Sequence, residues 1–361
     1  MNILIVIGTR PNFIKVTQFK KVIDQHYPHI NLKIVHTGQH YDEKMANIFF
    51  DQFELRPDYF LNISPDTPIK QMADIMGLLE ELVKNTFNPD LMIVPGDVNS
   101  TLAAALVANK NGIKLAHLES GLRSLDRTMP EEWNRILVDE MADYYFVTEK
   151  SGIEYLNQEN KKGKIFFVGN TMIDTMVGFE KQIQSSDILV RLNINIDFVL
   201  LTLHRPSNVD SKEGIKTMIS LLSYLNKKTK VVFPIHPRTR ARITSFGYDE
   251  EFSKLENIIL TEPLGYFDFQ KLIATSKMVL TDSGGIQEET TFRGIPCLTL
   301  RENTERPITI DEGTNTLVPF EFDALQKYID QILEGTYKTG KIPELWDGKA
   351  TERILKHITE I

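Results

Sequence analysis

Polar, reactive side chains stand directly after short apolar runs at several separate points along the chain. In the first half these points are Gly8-Thr9-Arg10, Thr37-Gly38-Gln39-His40, Gly96-Asp97 and Glu119-Ser120-Gly121. In the second half they are His204-Arg205, His236-Pro237-Arg238 and Asp282-Ser283-Gly284-Gly285. Arg10 at a helix start suits an anion, because a guanidinium offers a planar fork of donors to carboxylate or phosphate. The stretch TDSGGIQEETTFRGIP, residues 281–296, runs from an apolar segment through two glycines into a helix-like segment. Unpaired backbone N–H groups and the helix dipole attract anions at such a start, so Ser283-Gly284-Gly285 suits a phosphate. Glu289, about one turn further on, would then reach a ribose hydroxyl. The same glycines also serve a tight packing turn, and both readings stand at this point.

Other polar groups have structural readings beside the functional ones. Pro11 fits the first helical position, where a missing N–H costs nothing. Asp97 alone reads as a helix N-cap. Pro130-Glu131-Glu132 is what a helix start prefers, with proline first and acids at the positive dipole end. The histidines form no metal set: His26 and His29 flank a helix end, His36 and His40 straddle a strand end, and neither pair has a cysteine nearby. There is no Walker loop and no Gly-x-Gly-x-x-Gly, and Gly8-Thr9-Arg10-Pro11 stands where a dinucleotide fingerprint would open the fold. The sequence therefore predicts no metal and no bound redox cofactor.

The elements that must position these groups alternate between strand and helix. Residues 3–7, 32–36, 91–94, 114–118, 144–147 and 165–168 read as buried strands, with helical segments such as 11–24, 71–84 and 99–110 between them. The pattern restarts after about residue 190 with 198–202, 230–234, 257–260, 278–281 and 296–300. Such alternation predicts an α/β protein with two doubly wound parallel sheets, joined between 169 and 197, where a polar run at 180–187 intervenes. Ligand sites in parallel sheets lie outside the carboxyl ends of the strands, which is where the reactive residues fall. Two such edges facing each other would make a charged cleft.

Bulk properties narrow the function. At 361 residues the chain is long enough for about two domains. With 41 basic against 49 acidic residues there is no global positive field to recruit nucleic acid. The one cysteine, Cys297, excludes an internal disulfide framework and reads as a buried small hydrophobe in a reducing, cytoplasmic setting. No apolar run approaches the ~20 residues of a membrane span, and residues 3–7 are too short for a signal peptide.

Taken together, the blocks GTRPNFIK, TGQHYD, PGDVNST, HLESGLRS, MPEEWNR, VGNTMID, TLHRPSNVD, IHP, EPLGYFDF, TDSGGIQEE and TERP resemble the non-hydrolysing UDP-N-acetylglucosamine 2-epimerases. They keep the family's order from Gly8 to Pro307. The resemblance implies a GT-B-like fold: two Rossmann-like domains facing across a cleft, with the C-terminal helix crossing back to the first. The implied domains are 1–172 with 346–361, and 173–345. It further implies a homodimer that interconverts UDP-N-acetylglucosamine and UDP-N-acetylmannosamine without a cofactor, by anti elimination of UDP to 2-acetamidoglucal and re-addition.

By motif position, Arg10, Lys15, Ser283, Gly284, Gly285, Glu289 and Arg306 would hold the nucleotide, and Phe269 would line the uracil region. Asp97, Glu119, Glu131 and His204 would surround the sugar and diphosphate, with the C2 base among the three acids. Glu119 and Glu131 lie twelve apart, each followed four residues later by an arginine, Arg123 and Arg135. Some members bind a second UDP-N-acetylglucosamine as activator. Gln39, Arg205 and His236 would belong to such a site, although the TGQHYDEKM segment differs from those members. Some members also carry Gly-His-Arg-Arg where this chain has Leu203-His204-Arg205-Pro206. The rival expectations are a sister epimerase for another UDP-2-acetamido sugar, a glycosyltransferase of the same fold, and a non-catalytic UDP-sugar sensor.

Overall fold

A computed structural model describes residues 1–39, 49–63 and 66–361. The chain divides into two compact units, Met1–Gly178 with Glu344–Ile361, and Phe179–Pro343. Among the described residues, no helix is long and apolar enough to cross a membrane.

The first unit is built on seven strands among the described residues: β1 (Asn2–Ile7), β2 (Asn31–His36), β3 (Tyr59–Phe60), β4 (Leu91–Pro95), β5 (Lys114–Leu118), β6 (Tyr144–Val147) and β7 (Lys164–Phe167). Their order is β3-β2-β1-β4-β5-β6-β7, and every pairing is parallel. The strands read as unbroken apolar runs because crossover helices cover both faces of a parallel sheet. Residues Ile3, Leu4, Ile5, Val6 and Ile7 are accordingly all buried.

The second unit has β8 (Phe198–Thr202), β9 (Lys230–Pro234), β10 (Ile258–Thr261), β11 (Met278–Thr281), β12 (Cys297–Thr299) and β13 (Asn315–Leu317). The order is β10-β9-β8-β11-β12-β13, again parallel throughout. Successive side chains of a strand point to opposite faces. Val199, Leu201, Val231, Phe233, Met278 and Leu280 therefore pack in one apolar cluster, while Phe198, Leu200, Val232 and Val279 pack in another.

Strand order reverses between β1 and β4 in the first sheet and between β8 and β11 in the second. Two neighbouring loops diverge at each such point and leave a crevice at the carboxyl ends. Gly8-Thr9-Arg10 and Gly96-Asp97 follow β1 and β4; His204-Arg205 and Asp282-Ser283 follow β8 and β11.

The last segment packs on the first unit. Trp346 is buried and donates its indole N–H to the Thr148 carbonyl at 3.1 Å. The Asp174 carboxylate accepts from the backbone N–H groups of Ala350 at 3.0 Å and Thr351 at 2.6 Å, closing the start of helix Ala350–Thr359. The helix buries Ile354 and Leu355 and, three to four residues on, Ile358 on the same face. The expected polar join holds three helices, and the first, Thr171–Gly178, is buried from Thr171 through Met176.

Candidate functional site

In the first unit Asn12 ties the ends of β1 and β4 together. Its amide oxygen accepts from Thr9 Oγ1 at 3.0 Å, and its nitrogen donates to the Pro95 carbonyl at 3.0 Å. Helix Arg10–Ile14 thereby delivers Lys15 to an ion pair with Glu119, and both side chains are buried. Gly96, at φ +66°, leaves room for that pair: a Cβ there would stand 3.0 Å from Lys15 Nζ and 3.6 Å from Glu119 Oε2. Glu119 itself has φ +72°, a left-handed conformation that costs a non-glycine residue about 1 kcal/mol or more.

Asp97 directly follows Gly96 and is held by Arg135, whose Nη2 and Nε approach Oδ2 at 2.8 and 3.0 Å. Arg135 also pairs with Glu132 at 2.6 Å, and Glu132 accepts the backbone N–H groups of Ser124 and Leu125. Of the two acids at this helix start, Glu132 is thus the structural one. Glu131 is half-buried in the first turn of Pro130–Met141 and has no ion pair among the described residues.

The arginines four residues after Glu119 and Glu131 pair with other acids. Arg135 serves Asp97 and Glu132, and Arg123 serves Asp139 and Glu159. Arg10 lies over the Phe49 ring, 4.8 Å from its centroid. Gln39 accepts the Ser100 N–H at 2.9 Å and its hydroxyl at 2.6 Å, so its amide oxygen satisfies the start of helix Asn99–Lys110. His36 is buried, and burial pushes it down to about 4. His40 and the rest of TGQHYD after Gln39 lie outside the described residues.

In the second unit Asp282, at the end of β11, organises the loop after β8. Its Oδ2 accepts the backbone N–H groups of His204 at 3.0 Å and Arg205 at 2.8 Å, and Asn208 Nδ2 at 3.2 Å. Its Oδ1 faces Nδ1 of His204 at 3.0 Å. Burial alone would raise this carboxyl, but the His204 ring and the two N–H donors outweigh it and hold it below the usual carboxylate range. His236 is exposed, with its ring 5.8 Å from that of His204. Its Nδ1 accepts the Arg238 N–H at the start of Pro237–Ser245, and burial, His204 and Arg238 lower its pKa.

Ser283 precedes helix Gly284–Arg293 with its side chain making no capping bond. The first N–H groups of a helix have no intrahelical acceptor, so this start offers its donors outward. Two arginines stand beside it. A Cβ on Gly284 would meet Glu305 Oε1 at 2.8 Å, Arg306 Nη1 at 3.4 Å and Arg301 Nη1 at 3.7 Å. Arg306 pairs with Glu288 at 2.9 Å and also with Glu305, and Arg301 pairs with Glu305 at 3.1 Å. Arg301 Nη1 is buried with no hydrogen-bond partner among the described residues. Burial lowers its pKa, Glu305 opposes this, and Arg205 and Arg306 add to the lowering. Glu289 is buried on the same helix, one turn beyond Gly285. Phe269 is half-buried against the cluster of Ile188, Phe198 and Ile286.

Sequence reasoning assigned no role to Asn12, Asp282 or Arg301. Asp282 alone had a readable signal, an acid in first place after an apolar strand.

The family model described as UDP-N-acetylglucosamine 2-epimerase matches residues 23–359. The chain belongs to this family. It is 38% identical over 369 residues to the UDP-N-acetylglucosamine 2-epimerase of Methanocaldococcus jannaschii, covering 99% of each chain. It is 36% identical over 367 residues to UDP-2,3-diacetamido-2,3-dideoxy-D-glucuronate 2-epimerase of Pseudomonas aeruginosa, covering 100% of each. The crystal structure of the M. jannaschii epimerase in complex with UDP-GlcNAc and UDP matches with a TM-score of 0.90 at 37% identity over 100% of both chains. The two parallel-sheet α/β domains are thus those of the GT-B-like UDP-GlcNAc 2-epimerases.

Proposed function

We propose that the protein interconverts UDP-N-acetylglucosamine and UDP-N-acetylmannosamine by inverting C2. The observation that carries this reading is the clustering of acid, lysine and arginine at the β1/β4 switch point of a chain that belongs to this epimerase family. The C2 hydrogen is not α to a carbonyl, so its removal needs an anionic leaving group on C1. In the forward step a carboxylate takes the C2 proton while the C1–O bond breaks, giving UDP and 2-acetamidoglucal. In the return step a proton adds to the opposite face of C2 as a diphosphate oxygen re-forms the bond to C1. Atoms and charge balance without an oxidant.

The base lies among Asp97, Glu119 and Glu131 in this reading, and Lys15 and Arg135 hold two of them in place. Arg10, Ser283, Gly284, Gly285, Glu289 and Arg306 bind the nucleotide, Phe269 lines the uracil, and His204 stabilises the departing diphosphate. The protein acts as a homodimer in the cytoplasm, a compartment that keeps the Cys297 thiol reduced.

Proton NMR of UDP-N-acetylglucosamine in D2O tests this. Expected are UDP-N-acetylmannosamine and deuterium at C2 of both sugars. No exchange at high enzyme concentration sinks the reading, and free N-acetylmannosamine with UDP indicates a hydrolase. The whole-length likeness to the P. aeruginosa enzyme supports a second substrate, a UDP-2,3-diacetamido uronate. Exchange confined to that sugar selects it.

A further inference from the structure

Beneath the strand ends of the first unit lies a buried histidine–aspartate pair with no part in the reading above. His117, on β5, and Asp139, on helix Pro130–Met141, have no solvent exposure. Nδ1 of His117 is 2.6 Å from Asp139 Oδ1, and Nε2 is 2.8 Å from the Gly96 carbonyl oxygen. A carbonyl only accepts, so Nε2 carries a proton. Asp139 Oδ2 meanwhile accepts the Gly121 N–H at 3.1 Å and lies 2.8 Å from Arg123 Nη1. A carboxylate beside those donors is ionised. Burial alone would raise the Asp139 carboxyl, but His117 and Arg123 outweigh it and bring it below the usual range. The two ring nitrogens thus each face an acceptor, Nε2 the Gly96 carbonyl and Nδ1 the Asp139 carboxylate.

The other groups that face this pair complete its charge balance. Arg123 is held bidentately by Glu159, with Nε and Nη2 each 2.8 Å from a carboxylate oxygen. Lys161 lies 3.3 Å from Glu159. Tyr145 of β6 donates its hydroxyl to the Asp139 backbone carbonyl at 2.7 Å.

The two backbone groups gripped by the pair belong to the turns that carry Asp97 and Glu119. Gly96 directly precedes Asp97, and Gly121 follows Glu119 by two residues. A left-handed glutamate persists only where its surroundings over-determine it. Two fixings meet there: the Glu119 and Ser120 N–H groups both donate to the Phe146 carbonyl, and Asp139 holds Gly121.

We propose that His117 and Asp139 are positioning residues for proton transfer at C2, the imidazole ring fixing the Gly96–Asp97 turn and the carboxylate fixing the Glu119–Gly121 turn. The proposal rests on the epimerase reading given above. Both side chains are fully buried, so they act through the residues they hold and not by touching the sugar.

Two measurements test it. In the wild-type protein with 15N-labelled histidine, Nε2 of His117 is expected to bear a proton that exchanges slowly with solvent, held on the Gly96 carbonyl. Its resonance is assigned by through-bond correlation from the His117 backbone. A His117 ring with no proton on Nε2 overturns the proposal, and this arm needs no turnover, so its failure is distinct from failure of the epimerase reading. In the second arm, Asp139→Asn is expected to slow C2 deuterium exchange about 10- to 100-fold with KM within about threefold, since small misplacements of reacting groups cost that much. Asp139→Glu is expected to restore part of the rate. Unchanged exchange, or a raised KM with unchanged kcat, overturns the proposal. If Asp139→Asn does not fold, His117→Gln is measured the same way, and the NMR arm decides if neither folds. Absence of exchange in the wild type removes the epimerase reading and, with it, the role in proton transfer.

Discussion

Nδ1 of His204 lies 3.0 Å from Oδ1 of Asp282, an imidazole side chain 43% exposed against a carboxylate with no exposure. The carboxylate accepts, so the proton sits on Nδ1 and Nε2 is the nitrogen left to face outward. Asp282→Asn keeps the shape and removes the charge that selects this arrangement. It is expected to lower kcat by about 10- to 100-fold, as is typical when the group orienting a functional histidine is lost. The dissociation constant for UDP, measured by calorimetry, stays within about threefold. An unchanged kcat removes Asp282 from any part in orienting His204.

Asp139 and Asp282 are both carboxyls that burial would raise and that paired donors lower instead. A carboxyl depressed in the folded state stabilises the fold above its unfolded value, about 4, and loses that contribution as pH falls through the folded value. Urea unfolding is expected to show a plateau above about pH 5 and declining stability below about pH 4. Asp282→Asn should flatten part of that decline. Equal slopes in wild type and variant contradict it.

The Lys15–Glu119 pair is buried on both sides. Removing one partner strands the other charge, so Lys15→Met is expected to cost about 3–5 kcal/mol in denaturant unfolding. Adding Glu119→Gln removes the stranded charge, and the double variant should recover a large part of that loss. A double variant no more stable than Lys15→Met shows that the pair is not what holds the lysine.

Two glycines give opposite expectations for alanine. At Gly284 a Cβ meets Glu305 Oε1 at 2.8 Å and must move the Glu305–Arg306 pair, so UDP affinity is expected to fall about tenfold, near 1.4 kcal/mol. At Gly77, inside helix Pro68–Asn85, a Cβ meets nothing within 4 Å. Gly77→Ala is expected to raise stability by about 0.4–1 kcal/mol and leave UDP affinity unchanged. Calorimetric titration and thermal melts of both variants check the pair, and equal UDP affinities contradict the first.

Burial raises the Cys297 thiol to about 11, against the opposing hydrogen bonds of Thr290 and Thr299. The native protein is expected to resist iodoacetamide at neutral pH and to react within minutes once denatured, because the thiolate is the reactive form. Rapid alkylation of the native chain contradicts this.

The strand framework was legible wherever a strand is covered on both faces. Residues 3–7 and 91–94 form unbroken apolar runs because neither face of the sheet meets water. Tyr59–Phe60 and Asn315–Leu317 escaped notice: they are edge strands of two and three residues, and a run that short has no periodicity to read. Reactive residues could be placed at strand ends from the alternation alone, since a parallel sheet directs every carboxyl end to one edge. Partnerships could not. Arg135 follows Glu131 by four residues, yet its guanidinium lies on Asp97, which is thirty-eight residues earlier on another strand end. Glu131 and Glu132 look alike in sequence, and only the placement of Ser124 and Arg135 shows which is bound into the scaffold. Gln39 likewise looks free for a ligand until Ser100 is found against it.

The first unit is written in two instalments, with all of Phe179–Pro343 between them. Trp346, Ile354, Leu355 and Ile358 supply part of its interior, yet they leave the ribosome after the whole of the second unit. Domains otherwise tend to fold in the order in which they are synthesised. Here the earlier-made unit must wait, unfinished, while the later-made one has its full complement of residues. Termination between Pro343 and Trp346 would yield a chain whose beginning, not its end, is the incomplete part.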